Sequence, residues 1–443
     1  MAKAKRPKKS PPVELVVERI GAHGDGIAHY AGEPVFLPFT APGDRVRARL
    51  GLRRGGGHEG RVLALLSPGP GRARPPCPHF SRCGGCALQH LDADAYRRAK
   101  RAALATALAR IGVDPETIEP LRTVPPGRRR ARLGLVRPRD PQLPVRIGFR
   151  ERFRHELVDL RQCPVLEEGL LALVEPLRHY ARDLLPPGGM AEALLTRTDS
   201  GVDLLFEAAA PPGIEALETL AGLAAERDLA RAVWRCSGVE IPVVERRPVR
   251  LLLSGVAVRV PPGAFLQASA AAEAILVEEV VGGVGVARPA LDLFAGLGAF
   301  AFALRRGGPQ PRASMARAGT PRVHAVEGDR SAAAALAAAA AGVSDVTVER
   351  RDLARDPLRP DELARYAAAV FDPPRAGALA QAEALAASSL AAIVAVSCNP
   401  ATFARDASRL LAGGFRPVRI VPIDQFVWTP HLEIAALFRR PLS

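Results

Sequence analysis

From about residue 256 onward, short apolar runs alternate with alanine- and leucine-rich stretches of helical composition, and few folds accept that alternation. The runs are Ala290–Phe294, Val323–Glu327, Val346–Val348, Ala367–Phe371, Ala392–Ser397, Val418–Ile423 and Leu432–Phe438. Each has the length of a strand, and most are followed by enough residues for a crossover helix. Strands joined this way form a parallel sheet covered on both faces, a doubly wound α/β domain with its ligands at the carboxyl ends of the strands. Gly307–Pro321, which lacks apolar periodicity, reads as a surface loop interrupting the pattern.

Three motifs fall where such strands end. The turn Asp292-Leu293-Phe294-Ala295-Gly296-Leu297-Gly298 lets backbone approach a ligand, and Glu327 closes the next strand, where it suits a ribose hydroxyl pair. Gly296-Leu297-Gly298-Ala299-Phe300-Ala301 also satisfies a dinucleotide fingerprint, so the turn does not choose between NAD and S-adenosylmethionine. Asp372-Pro373-Pro374-Arg375 follows a later run, its prolines stiffening the backbone after the carboxylate. Ser397-Cys398-Asn399-Pro400 follows the next. A lone cysteine after a strand is more often a small buried hydrophobe, but this order of motifs points to a nucleophilic thiol beside a nucleotide-like cofactor.

Cys77, Cys83 and Cys86 crowd into ten residues, with Gly84 and Gly85 between the last two. Several thiolates on so flexible a loop point to a metal site, and four thiolates suit zinc or an iron–sulfur cluster equally. Residues 13–66 alternate β-branched runs with glycine and proline turns, the rhythm of a small β-barrel. The stretch Ala93–Ile111 has helical spacing, and residues 120–255 read as mixed α+β.

The order, spacing and wording of these motifs resemble the RNA uracil-5 methyltransferases that use S-adenosyl-L-methionine, over residues 12–440. The resemblance implies a basic tail (1–11), an OB-like TRAM RNA-binding domain (12–68), a central domain carrying a [4Fe-4S] cluster (69–255) and a Rossmann-like methyltransferase domain (256–443). It implies that Cys398 adds to carbon 6 of uracil and that Glu433, in Thr429-Pro430-His431-Leu432-Glu433, removes the hydrogen at carbon 5. Gln267, Phe294, Glu327, Asp352 and Asp372 would line the cofactor site, and Cys163, before Pro164-Val165, would complete the cluster with Cys77, Cys83 and Cys86. The chain departs from the family at Ala299, at Ser269 and in Asp424-Gln425-Phe426-Val427-Trp428-Thr429-Pro430, which leaves the detailed cofactor contacts and the target RNA open.

A net charge of +15, mostly from arginine, suits a polyanionic partner, and Arg128–Arg132 and Arg146–Arg154 are candidate phosphate contacts. With no apolar run of membrane-spanning length and no secretory signal, the expected setting is a cytoplasmic monomer without disulfides. The barrel and cluster resemble the rRNA-directed members, so a uridine of 23S rRNA is the expected target. A tRNA uridine is the alternative, followed by an NAD-dependent enzyme or a non-catalytic iron–sulfur RNA-binding protein.

Overall fold

The computed structural model describes residues 11–154, 156–306 and 322–441. The expected basic tail (save Pro11), Cys-free insertion Gly307–Pro321 and two terminal residues lie outside the described residues. The chain forms two compact units. One takes in the described residues up to Leu104 with Glu151–Arg154 and Trp428–Pro430; the other takes in Ala105–Arg150, the described residues up to Val427, and the chain from His431.

In the first unit, β1 (Pro12–Val16), β2 (Arg19–Ile20), β3 (Gly26–Tyr30), β4 (Glu33–Leu37), β5 (Arg45–Arg54) and β6 (Gly57–Ser67) form one sheet of order β1-β5-β6-β4-β3-β2. Every pairing is antiparallel except β4 with β6. Alternation along β5 explains its two faces: Val46 and Ala48 enter a core with Leu15, Val17, Ala28, Val35 and Leu37, while Arg45 and Arg47 stay exposed. Asp44, wholly buried, is satisfied by the amides of Ala41 (2.7 Å) and Gly69 (2.8 Å) and by Arg72 (2.8 Å), so a charge beneath the sheet pins the loop that leaves it. Helix α1 (Ala93–Ala109) follows the cysteine loop, close to the helix read from spacing.

The second unit holds two large sheets. The first is built from β8 (Arg130–Val136) and β9 (Arg146–Gly148), then, after β7 (Arg122–Thr123) and the helices α2 (Glu168–Leu171) and α3 (Val174–Leu184) are set aside, β10 (Met190–Thr198) and β11 (Gly201–Ala208). Helix α4 (Ile214–Glu226) leads to its last strands, β12 (Arg231–Cys236) and β13 (Val239–Glu245), in the order β13-β12-β11-β10-β8-β9. Of the run Arg128–Arg132 expected to contact phosphate, Arg130 and Arg132 lie within β8. Arg132, exposed, pairs with Glu192 (2.9 Å) and Glu207, and Arg129, buried, with Glu273 (2.6 Å), so both arginines are engaged by carboxylates of the fold.

After the hairpin β14 (Arg250–Leu253) and β15 (Val256–Arg259) comes the doubly wound domain expected from the sequence: α5 (Ala270–Val284), β16 (Ala290–Leu293), α6 (Ala299–Arg306), β17 (Val323–Glu327), α7 (Arg330–Ala340), β18 (Val346–Arg350), α8 (Pro360–Leu363), β19 (Ala368–Phe371), α9 (Leu379–Ala386), β20 (Ala392–Ser397), α10 (Pro400–Ala412), β21 (Arg416–Asp424) and β22 (Glu433–Arg439). The strand order is β18-β17-β16-β19-β20-β22-β21-β7, with β22 antiparallel to both neighbours. Strands β16, β19 and β20 are buried along their whole length, which is why they read as continuous apolar runs. Strand order reverses between the parallel neighbours β16 and β19, and the crevice at their carboxyl ends is where such a sheet binds ligand.

The turn after β16 depends on Gly298. Its φ is 91°, and a Cβ there would lie 2.4 Å from Leu336 Cδ1 and 2.8 Å from Phe302 Cε2. Gly298→Ala therefore adds backbone strain to overpacking and is expected to lower stability by about 2–5 kcal/mol. Gly296, at φ 55° with open space where its Cβ would stand, should lose only about 1 kcal/mol as alanine. Chemical denaturation of the two variants beside the parent chain checks the ranking.

Candidate active site

The carboxyl edge of the doubly wound sheet collects the site. At β16 the chain turns through Phe294, held at φ 63°, a left-handed conformation that a bulky residue adopts only under constraint. Glu327, at the end of β17, accepts from the amides of Gly296 (2.7 Å) and Asp329 (2.7 Å), so its carboxylate is fixed against the glycine turn. Asp352, exposed after β18, accepts from Ala354 N (3.1 Å), and its neighbour Arg351 donates its amide to Glu327 O (3.0 Å). Phe294, Glu327 and Asp352 thus follow or end three adjacent strands, beside a Gly296 that leaves room for a ligand.

Beneath the turn, Asp292 is wholly buried, and among the described residues neither carboxyl oxygen makes a well-formed hydrogen bond. Burial holds its pKa well above the usual carboxylate range, the nearby Asp372 and Glu327 add to the effect, and the Ala301 amide offsets only part of it.

Asp372, Cys398 and Glu433 stand at the ends of β19, β20 and β22 that meet this edge. Asp372 N donates to Leu293 O (3.2 Å), which sets the Asp372 loop beside Phe294. Ser397 of β20 pairs with Ile434 of β22, so the next step of the register sets Cys398 across from Glu433. Cys398 immediately precedes α10, whose N-cap Asn399 accepts from Ala401 N (3.1 Å) and whose first residue is Pro400. Asn399 Nδ2 (3.2 Å) and Thr402 Oγ1 (3.3 Å) both donate to Arg375 O, and Ala378 N donates to the buried Asp406 (2.7 Å). The aspartate loop and the cysteine loop are therefore one hydrogen-bonded assembly.

A line of side chains crosses the site. Gln267 Nε2 donates to Asp372 Oδ2 (3.1 Å), and Gln425 Nε2 donates both to Gln267 Oε1 (2.8 Å) and to Glu433 Oε2 (2.9 Å). Arg129 Nε holds the Gln267 carbonyl (2.9 Å). Spacing singled out neither Gln425 nor Arg129 as a site residue: one stands in a motif noted only for its departures, the other in a run read as candidate phosphate contacts.

Crowding of acids governs the electrostatics. Part of Asp372 reaches solvent, but its carboxyl is enclosed, and burial raises its pKa to about 7 against the Gln267 hydrogen bond. Glu433, buried, is pushed well above the carboxylate range by burial and then by Asp372, with Gln425 opposing. Burial, then Glu433 and Asp372, lift the Cys398 thiol to about 11, and Arg375 offsets part of that. The resting thiol is protonated at neutral pH, and removing a neighbouring negative charge favours the thiolate.

Cys77, Cys83 and Cys86 lie in the first unit, on the loop between β6 and α1. Gly85 N donates to Cys83 Sγ (3.4 Å), and Cys77 N donates to Gln89 Oε1 (3.1 Å), while the buried Gln89 Nε2 finds no partner among the described residues. The donor chemistry suits a thiolate-bound cluster, and an unpartnered amide beside Cys77 suits a sulfur acceptor. Among the described residues, however, no three His, Cys, Asp or Glu side chains are gathered closely enough to hold a metal ion. Cys163 is half-buried in the second unit. The thiol at Cys398 supplies a direct check on the electrostatics: its alkylation by iodoacetamide should rise with pH towards about 11, and Asp372→Asn, by removing a negative charge, should make it roughly tenfold faster at pH 8.

Residues 255–441 match the family described as tRNA (uracil-5-)-methyltransferase. An uncharacterized RNA methyltransferase of Brucella suis is 38% identical over 430 residues, covering 96% of this chain and 98% of the relative. A 23S rRNA (uracil(1939)-C(5))-methyltransferase of Chromohalobacter salexigens is 36% identical over 444 residues, covering 96% and 89%. Among solved structures, the Pyrococcus abyssi tRNA (uracil-54, C5)-methyltransferase in complex with S-adenosyl-L-homocysteine has the same fold, with a TM-score of 0.69 and 23% identity, over 96% of this chain and all of that one. With near-complete coverage by relatives well above a third identical, a glycine turn at the switch point and the strand order of a Rossmann-like methyltransferase, the chain belongs to the RNA uracil-5-methyltransferase family.

Proposed function

We propose that this chain methylates carbon 5 of a uridine in RNA, with Cys398 as nucleophile and Glu433 as base. The observation that carries the reading is the β20–β22 register, which sets a thiol and a buried carboxyl across from each other at the sheet edge beside the glycine turn. Carbon 5 of uracil is too weak a nucleophile to be methylated directly. Addition of the Cys398 thiolate to carbon 6 moves the ring π electrons into an enolate, and carbon 5 becomes nucleophilic. Gln267, Phe294, Glu327, Asp352 and Asp372 would hold S-adenosylmethionine, whose sulfonium would give its methyl group to carbon 5 and leave as the neutral thioether S-adenosylhomocysteine. Glu433 then takes the proton from carbon 5, the C5=C6 double bond re-forms, and the thiolate leaves.

Two features support an RNA partner. Arg45 and Arg47 stand exposed on β5, opposite its core-facing residues, in the sheet for which the family resemblance implies an OB-like RNA-binding TRAM domain. Phe153, 69% exposed between Arg152 and Arg154, offers a face on which an unpaired base can stack. For the target we favour 23S rRNA, because the relative named for that substrate is 36% identical over most of both chains. A tRNA uridine is the second reading, favoured by the family's own description. Mapping 5-methyluridine in RNA from a deletion strain distinguishes them, since the missing position identifies the substrate.

Cys398→Ala should yield neither adduct nor product. Glu433→Gln should instead accumulate a methylated, covalent protein–RNA adduct, seen as a slow band on a denaturing gel. Normal turnover by Glu433→Gln, or methylation by Cys398→Ala, would refute the roles.

We also assign a [4Fe-4S] cluster to Cys77, Cys83 and Cys86, with Cys163 as fourth ligand; cysteine spacing and the family resemblance support it. No step of the reaction passes through it. Anaerobically purified protein should be brown and contain iron and acid-labile sulfide, and stoichiometric zinc without sulfide would refute the assignment.

A further inference from the structure

Gln425 is 5% exposed, and its amide does two things at once. Its Nε2 donates to Gln267 Oε1 at 2.8 Å and to Glu433 Oε2 at 2.9 Å, while its Oε1, also buried, has no partner among the described residues. An amide carries two N–H groups on one atom, and here each faces an oxygen. Turning the amide over would set Oε1 against those same two oxygens, so its orientation is dictated by its neighbours. The side chain keeps its place although one acceptor goes unsatisfied, a cost that asks for a compensating role.

Gln267 is fixed by the same logic. Its Nε2 must donate to Asp372 because its Oε1 is taken by Gln425, and Arg129 clamps its backbone carbonyl at 2.9 Å. The result is a line whose hydrogen bonds are donated outward from Gln425, to Glu433 on one side and through Gln267 to Asp372 on the other, joining the residue just after β21, the start of β22, the segment before α5 and the loop after β19.

We infer that Gln425 is a positioning residue: its amide orients the Glu433 carboxyl for proton removal and couples it, through Gln267, to Asp372. The inference rests on the reading of Cys398 and Glu433 given above. Glu433 is faced by Asp372 at the end of β19 and by Cys398 after β20, with Asp424 one residue before Gln425 on β21 and Arg375 beside the thiol. Burial and Asp372 both disfavour the Glu433 carboxylate, and the Gln425 hydrogen bond favours it. Losing that bond leaves less Glu433 ionised at neutral pH. Addition of the thiolate and methyl transfer do not need this base, whereas release of the product does.

The test uses the full chain in a single turnover, with total RNA from a deletion strain grown on 5-tritiated uridine and S-adenosylmethionine labelled in its methyl group. Methyl incorporation reports the transfer, and tritium release reports the base. Gln425→Met, close in shape but without an amide, should transfer methyl in the first turnover within about threefold of the parent while releasing tritium about tenfold or more slowly at pH 7. Methylated adduct should accumulate, and release should recover at higher pH, with its midpoint moved up by about one unit. Gln425→Asn, which keeps the amide but falls a methylene short of Glu433, should show the same split and serves if the methionine variant does not fold. Equal loss of both signals with an unmoved midpoint would make Gln425 merely structural and overturn the inference, as would two unchanged signals. A parent chain that gives neither signal overturns the reading of Cys398 and Glu433, and the inference with it.

Discussion

Three carboxyl groups and one thiol share an edge of sheet from which water is largely excluded, and the surrounding structure is arranged around that crowding. Asp292, Asp372 and Glu433 all have raised pKa values, chiefly through burial. For a carboxyl group, a folded pKa above the unfolded one means that the folded state holds its proton more tightly, so the group subtracts from stability as pH climbs. For Asp372 the loss builds from its ordinary value of 3.8 to about 7 and is constant above that. The apolar core under the sheet carries this load. Leu291, Leu293, Val370, Ile393 and Val394 are almost wholly buried on the strands that end in the site. A site placed on rigid, fully covered strands can hold groups that would otherwise rearrange to reach water.

Local pattern reveals what local pattern causes. Strands β16, β19 and β20 were legible because burial on both faces forces continuous apolar runs, and the positions of Asp372 and Cys398 followed from where those runs stop. Gln425 was not legible as a functional residue because its partners, Gln267 and Glu433, are set by tertiary pairing: Gln267 is 158 residues away in sequence. Arg129 was hidden for the same reason, with Glu273 144 residues away. An arginine run looks alike whether it meets solvent or a buried glutamate, and here Arg129 is 6% exposed.

The compact units show the same limit. Glu151–Arg154 and Trp428–Pro430 belong with the amino-terminal unit although they lie far along the chain. Arg152 pairs with Asp25 (2.8 Å) and stands over the Phe39 ring, and Trp428 O accepts from the amides of Ala87 and Leu88. Neither contact leaves a periodic trace. A loop that returns to another unit announces itself only through the individual ion pair, ring contact or amide that receives it.

The acids also bear on the order of events in the proposed reaction. Coulombic coupling is reciprocal: if the Glu433 carboxylate disfavours the Cys398 thiolate, the thiolate equally disfavours the carboxylate. Both charges together are the costly state, so a site with Glu433 protonated is the one in which Cys398 ionises most readily. Once sulfur is bonded to carbon 6 it is a neutral thioether, and that repulsion on Glu433 is gone. Glu433 then loses its own proton more easily and becomes competent to accept one from carbon 5. Proximity of nucleophile and base, which would weaken each of them if both acted at once, instead favours using them in turn. Gln425 fits this sequence as the donor that keeps the carboxyl oriented in both protonation states of the base.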